Sequence, residues 1–560
     1  MNRTLRWLYR FEGGIGWTSA AFVISLLVLA PLASLGWSAL HGTTQHWSHL
    51  MNHVLPNATF NTLILLAGVG ILVTCLGTGA AWLVTAYEFP GRRMLTWALL
   101  LPLAVPTYII AFSYLDLMHP IGPVQEAIRW VFGYQSPREF RLPDMRSMLG
   151  AILLLGVVLY PYVYLSTRVM FMSQAANLIE AARCLGESPR GVFLRVALPL
   201  ARPAIAVGVS LALLETLNDI GASEFLGIQT LTVAVYTTWV TRSDLAGAAQ
   251  IAMTMLAVVV VLIVIERKSR DRQRYANTQR MRPMQPTKLS GLQAVIAGLL
   301  GWAPVMVGFI IPASYLLYET IKRINLVGSI SRQLLFAGWN TLLVASAATL
   351  LTVVLGLVVA WAARRWRETR TPSLGQTCAR VSSLGYALPG TVLAIGLLTP
   401  LLLLDHGLGQ LVTLVTGHST ELIILGTMTG LVLAYTIRFL AISTGSFEAG
   451  LARIPASLEQ AARLLGESTT GTLKRVHLPL LMPAIAAAGM LVFVDAMKEL
   501  PATLMLRPMN METLATWLYG EASRGTYEEG AVAALASVIA GLAPVILLAR
   551  TPQRIGRNAS

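Results

Sequence analysis

The sequence predicts an all-α integral membrane protein with about twelve transmembrane helices, arranged as two parallel six-helix repeats. Three observations carry this reading: composition, the number of long apolar runs, and one stretch of sequence written twice. Apolar residues make up 55% of the 560 residues and charged residues only 12%. The mean hydropathy is +0.64. A soluble domain carries roughly a quarter charged residues, so a soluble globular class is excluded.

The apolar runs are long enough to count. A helix needs about 20 mostly apolar residues to cross the hydrocarbon core. In the first half such runs fall near 17–39, 59–86, 94–114, 147–171, 200–219 and 245–265. In the second half they fall near 293–318, 337–363, 380–403, 421–443, 480–499 and 529–549. The third and ninth, with Pro102, Pro106 and Pro389, are the least regular. Neighbouring helices can satisfy the carbonyls that such prolines free.

The repeat explains six plus six. The 25 residues from Ala181 and the 25 from Ala461 share sixteen identities at a displacement of 280, half the chain length. Asn61-Thr62 opens the second run and Asn340-Thr341 the eighth, Pro106 corresponds to Pro389, and Glu215 aligns with Asp495. An even number of spans per copy makes the copies parallel, whereas inverted-repeat carriers need an odd number. The chain thus divides into a first repeat (1–265), a basic linker rich in Arg and Gln (266–290) and a second repeat (291–560).

Lys and Arg set the orientation. They gather at Arg3, Arg6 and Arg10, along the linker from Arg267 and Lys268 through Arg270, Arg272, Arg274, Arg280 and Arg282 to Lys288, at Arg364, Arg365, Arg367 and Arg370, and at Arg550, Arg554 and Arg557. With twelve spans all of these lie on one side, while the loop 40–58 on the other side has none. Both termini, the linker and both repeated motifs are expected to be cytoplasmic. The first run is read as an uncleaved anchor rather than a secretory leader. This bias, together with contact with anionic lipid, accounts for the net charge of +15. Nucleic-acid binding is set aside because no basic domain stands apart from the membrane segments. Cys75, Cys184 and Cys378 are far apart and suggest packing residues rather than a disulfide or metal cluster.

The repeated stretch reads as helix, tight turn, helix. Ala176, Ile179, Ala182 and Leu185 recur at helical spacing. Gly186 and Gly466 stop the helix, since glycine enters the left-handed region cheaply. Leu198-Pro199 and Leu478-Pro479 then favour an extended residue ahead of the next span. An amphipathic connector lying on the headgroups would also have this pattern, but would not hold sixteen of 25 positions across diverged halves. A shared partner, met twice, would.

Glu-Ala-Ala, three residues, Gly, nine residues, Ile or Val, one residue, Leu-Pro resembles the cytoplasmic loop signature of permease subunits of bacterial binding-protein-dependent ABC importers. Glu180, Ala181, Ala182, Gly186, Val196, Leu198 and Pro199 match it. So do Ala461, Ala462, Gly466, Val476, Leu478 and Pro479, with Gln460 in the acid's place and Glu459 one residue early. The resemblance implies the importer-permease fold and a coupling helix that docks on an ATPase subunit. It implies as partners two copies of that ATPase, a substrate-binding protein on the outer face and the bilayer of a bacterial inner membrane. The sequence lacks a G-x-x-x-x-G-K-[ST] phosphate loop. The chain is therefore expected to be a transport subunit, not an enzyme, with no cofactor of its own and with ATP and Mg on the partner.

Glu215, Asp219 and Gly221, with Asp495, Lys498, Glu499, Leu500, Pro501, Ala502 and Thr503, resemble segments of fused ferric-iron uptake permeases, and this likeness runs along essentially the whole chain. It implies ferric iron, bare or chelated, as substrate. Permeases for thiamine and aminoethylphosphonate are similar, and an ion-coupled carrier is the reading from another class. A charge inside a span costs roughly 2.5–3.5 kcal/mol on insertion scales, so it faces a cavity or a partner. Glu215 and Asp495 are candidates to line the pathway. Asp219 and Glu499 join them as candidates, although Asp219, Lys498 and Glu499 also suit helix ends. Acidic oxygens suit a hard cation. His41, His46, His49 and His53 share one external loop, where His49 and His53 could occupy one helix face. The external loop 115–146, with Asp116, Glu126, Arg129 and Arg141, is a docking candidate for the binding protein.

Overall fold

The computed structural model describes residues 15–41, 47–173, 176–271, 286–364, 374–418 and 422–557. Arg3, Arg6, Arg10, His46, Arg272, Arg274, Arg280, Arg282, Arg365, Arg367 and Arg370 lie outside them, as do the side chains of Arg270, Arg550, Arg554 and Arg557. The described residues are helical apart from loops and a two-residue parallel ladder pairing Tyr87–Glu88 with Thr287–Lys288. Ten helices among them are long and apolar enough to cross a membrane, or eleven when a bent pair is counted as one span. Tyr527–Arg557 stands where the twelfth is expected.

Most runs become helices where composition places them: Ile15–His41, Leu55–Ala86, Met148–Ser173, Leu198–Asn218, Leu245–Asp271, Arg332–Arg364 and Leu478–Met497. The seventh span, Leu292–Val327, passes through a π turn at Met306–Ile310.

Three expectations need correction. The third span is two helices, Arg92–Ala104 and Thr107–Leu117, bent by 91°. Val105 is extended ahead of Pro106, as the ring of a following proline demands. The ninth span is not centred on 380–403. Leu374–Ser382 and a 3-10 turn come first, Leu388 is extended, and the long helix is Gly390–Thr416. Pro106 and Pro389 adopt nearly the same backbone angles (φ −57°, ψ 143° and 145°), so both repeats break at the same place. The tenth span begins at Met428, not near 421. The apolar run Leu422-Ile423-Ile424-Leu425 looks like its start, but the buried Asp405 carboxylate accepts N–H bonds from Ile423, Ile424 and Leu425 at 2.7–2.9 Å and holds them as loop.

The chain forms two compact units, and neither is one continuous stretch. One unit comprises 1–45, 235–253 and 332–516, which joins the first span to spans eight to eleven. In it the first and ninth spans meet closely: a Cβ on Gly396 would lie 2.4 Å from the Pro31 carbonyl oxygen, so only glycine fits there. Ser25 Oγ also donates to the Cys378 carbonyl at 3.1 Å. The other unit comprises 46–234, 254–331 and 517–560, which joins spans two to five to the seventh and twelfth. Sequence repeat and packing unit are therefore different partitions of the chain. Each repeat contributes four consecutive core spans to one unit and lends its leading span to the other.

Burial differs sharply among these spans. In the tenth, 67% of the apolar window is buried and in the fourth 61%, against 28% and 22% in the spans that carry the eleventh and fifth. The fourth and tenth are thus the central posts of their units. The fifth and eleventh, which follow the repeated loops, are the less buried of these spans.

Candidate functional site

The two repeated loops have one geometry. The helix Ala176–Cys184 ends at Gly186 with φ +84°, and Ala456–Leu464 ends at Gly466 with φ +85°. In the first loop Leu185 N–H donates to Ala181, Gly186 N–H to Arg183 and Glu187 N–H to Ala182, all at 3.0–3.1 Å. In the second, Leu465, Gly466 and Glu467 repeat these bonds to Ala461, Arg463 and Ala462. Such bonds satisfy the last helical carbonyls and fix the exit direction. Ser188 and Ser468 then cap the next turn, each accepting from a glycine N–H (Gly191, Gly471) at 3.1 Å. Glu187 pairs with Arg195, and Glu467 with Arg475.

The Leu-Pro step behaves differently from the expectation. Leu198 and Leu478 are helical, and the helix runs unbroken from Pro189 and Thr469 into the span. A π turn, Val192–Ala197 or Leu473–His477, precedes each and includes Val196 or Val476. A wide turn leaves carbonyls without the usual partner, which suits Pro199 and Pro479 because they have no N–H to give. The second helix of each loop and the span that follows are one continuous helix.

The tips differ from an ordinary connector in what they expose. Leu185 is 87% exposed and Leu465 85%. Glu180 and Ala181 are exposed, as are Gln460 and Ala461 at the equivalent positions. Glu459 does not replace Glu180. It turns inward to Arg364 at 3.5 Å and Arg463 at 2.5 Å. Arg364 also donates to the Leu451 and Ile454 carbonyls at 2.5 and 3.0 Å, at the end of the tenth span. His477, fully buried, packs on Trp361 with ring centroids 4.7 Å apart and lies 4.0 Å from Glu459. The first repeat has Thr85, Ile179 and Ala197 at the positions of Arg364, Glu459 and His477. The second loop is thus bolted by charge at positions where the first repeat carries neutral residues. Hydrogen bonds to charged groups contribute about 1.5–3 kcal/mol. Arg364→Met should accordingly lower uptake and loosen the second loop's grip on its unit, whereas Thr85→Val should change little. Protease susceptibility of 452–470 in detergent checks this, and equal sensitivity in the two variants would refute the bolt.

At the opposite span ends the repeats again agree. Asp219 accepts the Ala222 N–H at 3.0 Å and Glu499 the Ala502 N–H at 3.1 Å, each capping the short helix that follows its span. Beyond each short helix the chain is tied to Asn-Thr. Asn61 donates to the Gln229 carbonyl and Thr62 accepts from Leu231 N–H at 2.9 Å, while Asn340 and Thr341 do the same for Glu512 and for Leu514 at 2.8 Å. Asp495 pairs with Lys498 at 2.9 Å, both partly exposed, and Glu215 is half-buried.

Three features of this end escaped the sequence reading. Arg438, buried in the tenth span, makes an ion pair with buried Glu499 at 3.0 Å. A lone arginine inside an apolar run was the available signal. Tyr435 shares a hydrogen bond with Thr503 beside it. In the other unit Tyr519 donates to Glu224 and stacks on Phe225. Burial holds the Glu224 carboxyl above the usual carboxylate range, and the tyrosine hydroxyl pulls the other way. Of the histidines, His49 and His53 do share a face, with rings 5.2 Å apart. Among the described residues no three His, Cys, Asp or Glu side chains gather as a metal site would require.

A duplicated bundle of apolar helices, each copy carrying the same rigid loop at one end and the same capped, tethered segment at the other, defines a membrane permease. Residues 73–275 and 370–555 match the family described as binding-protein-dependent transport system inner membrane component. The chain belongs to this family. It is 26% identical over 512 residues to the Fe(3+)-transport system permease protein FbpB 2 of Haemophilus influenzae, covering 90% of this chain and 92% of that protein. It is 30% identical over 202 residues to the molybdenum transport system permease protein ModB of Escherichia coli K12, covering 34% and 85% respectively. The sulfate transport system permease protein CysT of the same strain is 28% identical over 210 residues, covering 37% and 72%.

Proposed function

We propose that this chain is the permease subunit of an ATP-driven importer that carries ferric iron, bare or chelated, from a binding protein across the bacterial inner membrane. The observation that carries the iron reading is the extent of similarity. The Haemophilus ferric permease matches along nine tenths of the chain, so both repeats take part. The molybdenum and sulfate permeases match only about a third of it, and the molybdenum protein's 30% identity favours an oxyanion as the second reading.

The repeated loops are the sites where two copies of an ATPase dock, through Glu180 and Gln460, Ala181 and Ala461, and the exposed leucines of each tip, while Ala462 is buried behind its tip. A largely apolar tip on a soluble-facing loop fits a partner's groove. Glycine turn, π turn and proline make each tip continuous with the fifth or eleventh span, so closure of the ATPases becomes rigid-body movement of those spans. Both termini lie on the cytoplasmic side, with the loops. This chain binds no cofactor, and ATP and Mg belong to the partner. Glu215 and Asp495 line the pathway. Asp219 and Glu499 support its outer end through the helices they cap.

The test is uptake into vesicles containing this chain, its ATPase and its binding protein. Ferric iron should enter with ATP, and molybdate or sulfate should not. Glu215→Gln with Asp495→Asn should reduce ferric uptake at least tenfold, roughly 1.4 kcal/mol in barrier height, with ATPase association intact. Full ferric uptake in the double variant would remove both residues from the pathway. Entry of an oxyanion instead would overturn iron, and uptake without any ATPase would overturn the importer.

A further inference from the structure

The connection between the third and fourth spans holds a helix built inside out. Pro123–Phe132 turns two of its three long polar side chains inward: Gln125 and Arg129, one turn apart, are both buried, while Glu126 is exposed. Gln125 donates to the Met118 carbonyl at 2.7 Å and accepts the Leu142 N–H at 3.0 Å. Arg129 donates to the Pro120 carbonyl at 2.7 Å. Outward stand Trp130, Val131 and Phe132, exposed by 84%, 67% and 70%, with Ile121 at 71% beside them. A helix on a water-facing surface buries its apolar stripe and exposes its polar one. Here Gln125 and Arg129 are consumed within the loop and Trp130, Val131 and Phe132 face out beside one exposed carboxylate, Glu126, a pattern that suits the boundary between lipid and water.

Position agrees. The helix lies at the far end of the fourth span from loop 176–199. It follows directly on the short helix Thr107–Leu117 and leads back to Met148–Ser173. Leu149 and Leu153, exposed on the first turns of that span, carry the apolar exterior onward into the membrane surface. Eleven residues of helix after the 91° bend span only about 16 Å. A segment resting in the boundary gives that half-span a place to stop. Aromatic rings concentrate at such boundaries, and helices of this kind lie with their apolar face about 5–10 Å below the headgroups.

We propose that Pro123–Phe132 is an in-plane interfacial helix, with Trp130, Val131 and Phe132 inserted in the lipid leaflet opposite the repeated loops, and not a docking element for a soluble protein. The charges that suggested docking are partly spent: Arg129 on its carbonyl, and Asp116 as acceptor for the Tyr315 hydroxyl.

The test uses the full chain with Cys75, Cys184 and Cys378 replaced by alanine. A nitroxide is attached at Val131→Cys or, as control, at Arg138→Cys, an exposed position of the same loop. Both are placed in vesicles of phosphatidylethanolamine and phosphatidylglycerol and retained only if ATP-driven uptake persists. At 131, collisions with oxygen should exceed those with a water-soluble nickel chelate several-fold, and at 138 the order should reverse. Adding the binding protein should change neither. Dominant nickel collisions at 131, or protection from both reagents with or without the binding protein, would overturn the proposal. The reading does not depend on the transported substrate, so it survives if iron fails.

Discussion

Valine at both Gly186 and Gly466 is expected to abolish uptake while leaving the chain inserted. The cause is conformational rather than steric. A Cβ at either glycine meets nothing within 4 Å, yet both sit at positive φ. Left-handed backbone costs an L-residue roughly 1–2 kcal/mol, and a β-branched side chain is a true outlier there. The turn has few ways to absorb that cost, because three local hydrogen bonds at 3.0–3.1 Å set its course in each loop. The cheapest relief is to change φ and re-aim Leu185 and Leu465, the exposed tips. Span insertion should be untouched, since the bonds at risk are all within the loops. Asparagine tolerates the left-handed region better than most residues, so Gly186→Asn with Gly466→Asn should retain more uptake and more bound ATPase than the valine pair. Uptake, membrane-fraction yield and ATPase co-purification separate these outcomes. Normal coupling in the valine variant would remove the loops from the mechanism.

What the sequence made legible, and what it hid, follows from the range of the interactions. The loops were legible because their geometry is local: a glycine stop, a serine cap and a proline act within a few residues. Apolar runs located most spans for the same reason. The tenth span was misplaced because Asp405 reaches some twenty residues along the chain to take three N–H groups from an apolar stretch. No local pattern reports that. The Asn-Thr pairs were visible as repeated letters, but their partners lie about 170 residues away. The exchange of leading spans was invisible. Periodicity records duplication, and either copy of a four-span core offers the first span a similar surface. The close fit of Pro31 on Gly396 and the Ser25 bond to Cys378 mark the surface that the first span takes. Arg438 was legible in principle, as a charge within an apolar run, but its partner follows 61 residues later.

Arg438 also yields the other large expected effect. Removing one partner of a buried ion pair costs about 3–5 kcal/mol, because the remaining charge stays desolvated. Arg438→Met should therefore destabilise its unit by about that amount, and Glu499 would keep the Ala502 N–H bond without its cation. Glu499→Gln should cost less than Arg438→Met. The amide oxygen still accepts from Ala502, and the guanidinium keeps an acceptor, though a neutral one. In Arg438→Met with Glu499→Leu both charges go, so part of the loss should return, and the residue of it measures the orphaned Ala502 N–H, about 1–3 kcal/mol. The first repeat is an internal control. Val158 occupies the arginine's position there, and Asp219 caps its helix at 3.0 Å without that partner. Asp219→Asn keeps an oxygen for the cap and should be mild. Unfolding of the purified chain in detergent, followed for these four variants and for Glu499→Leu alone, supplies the cycle. Additive losses for Arg438 and Glu499 would mean that the pair does not act as a unit. The asymmetry between repeats would then have no energetic content.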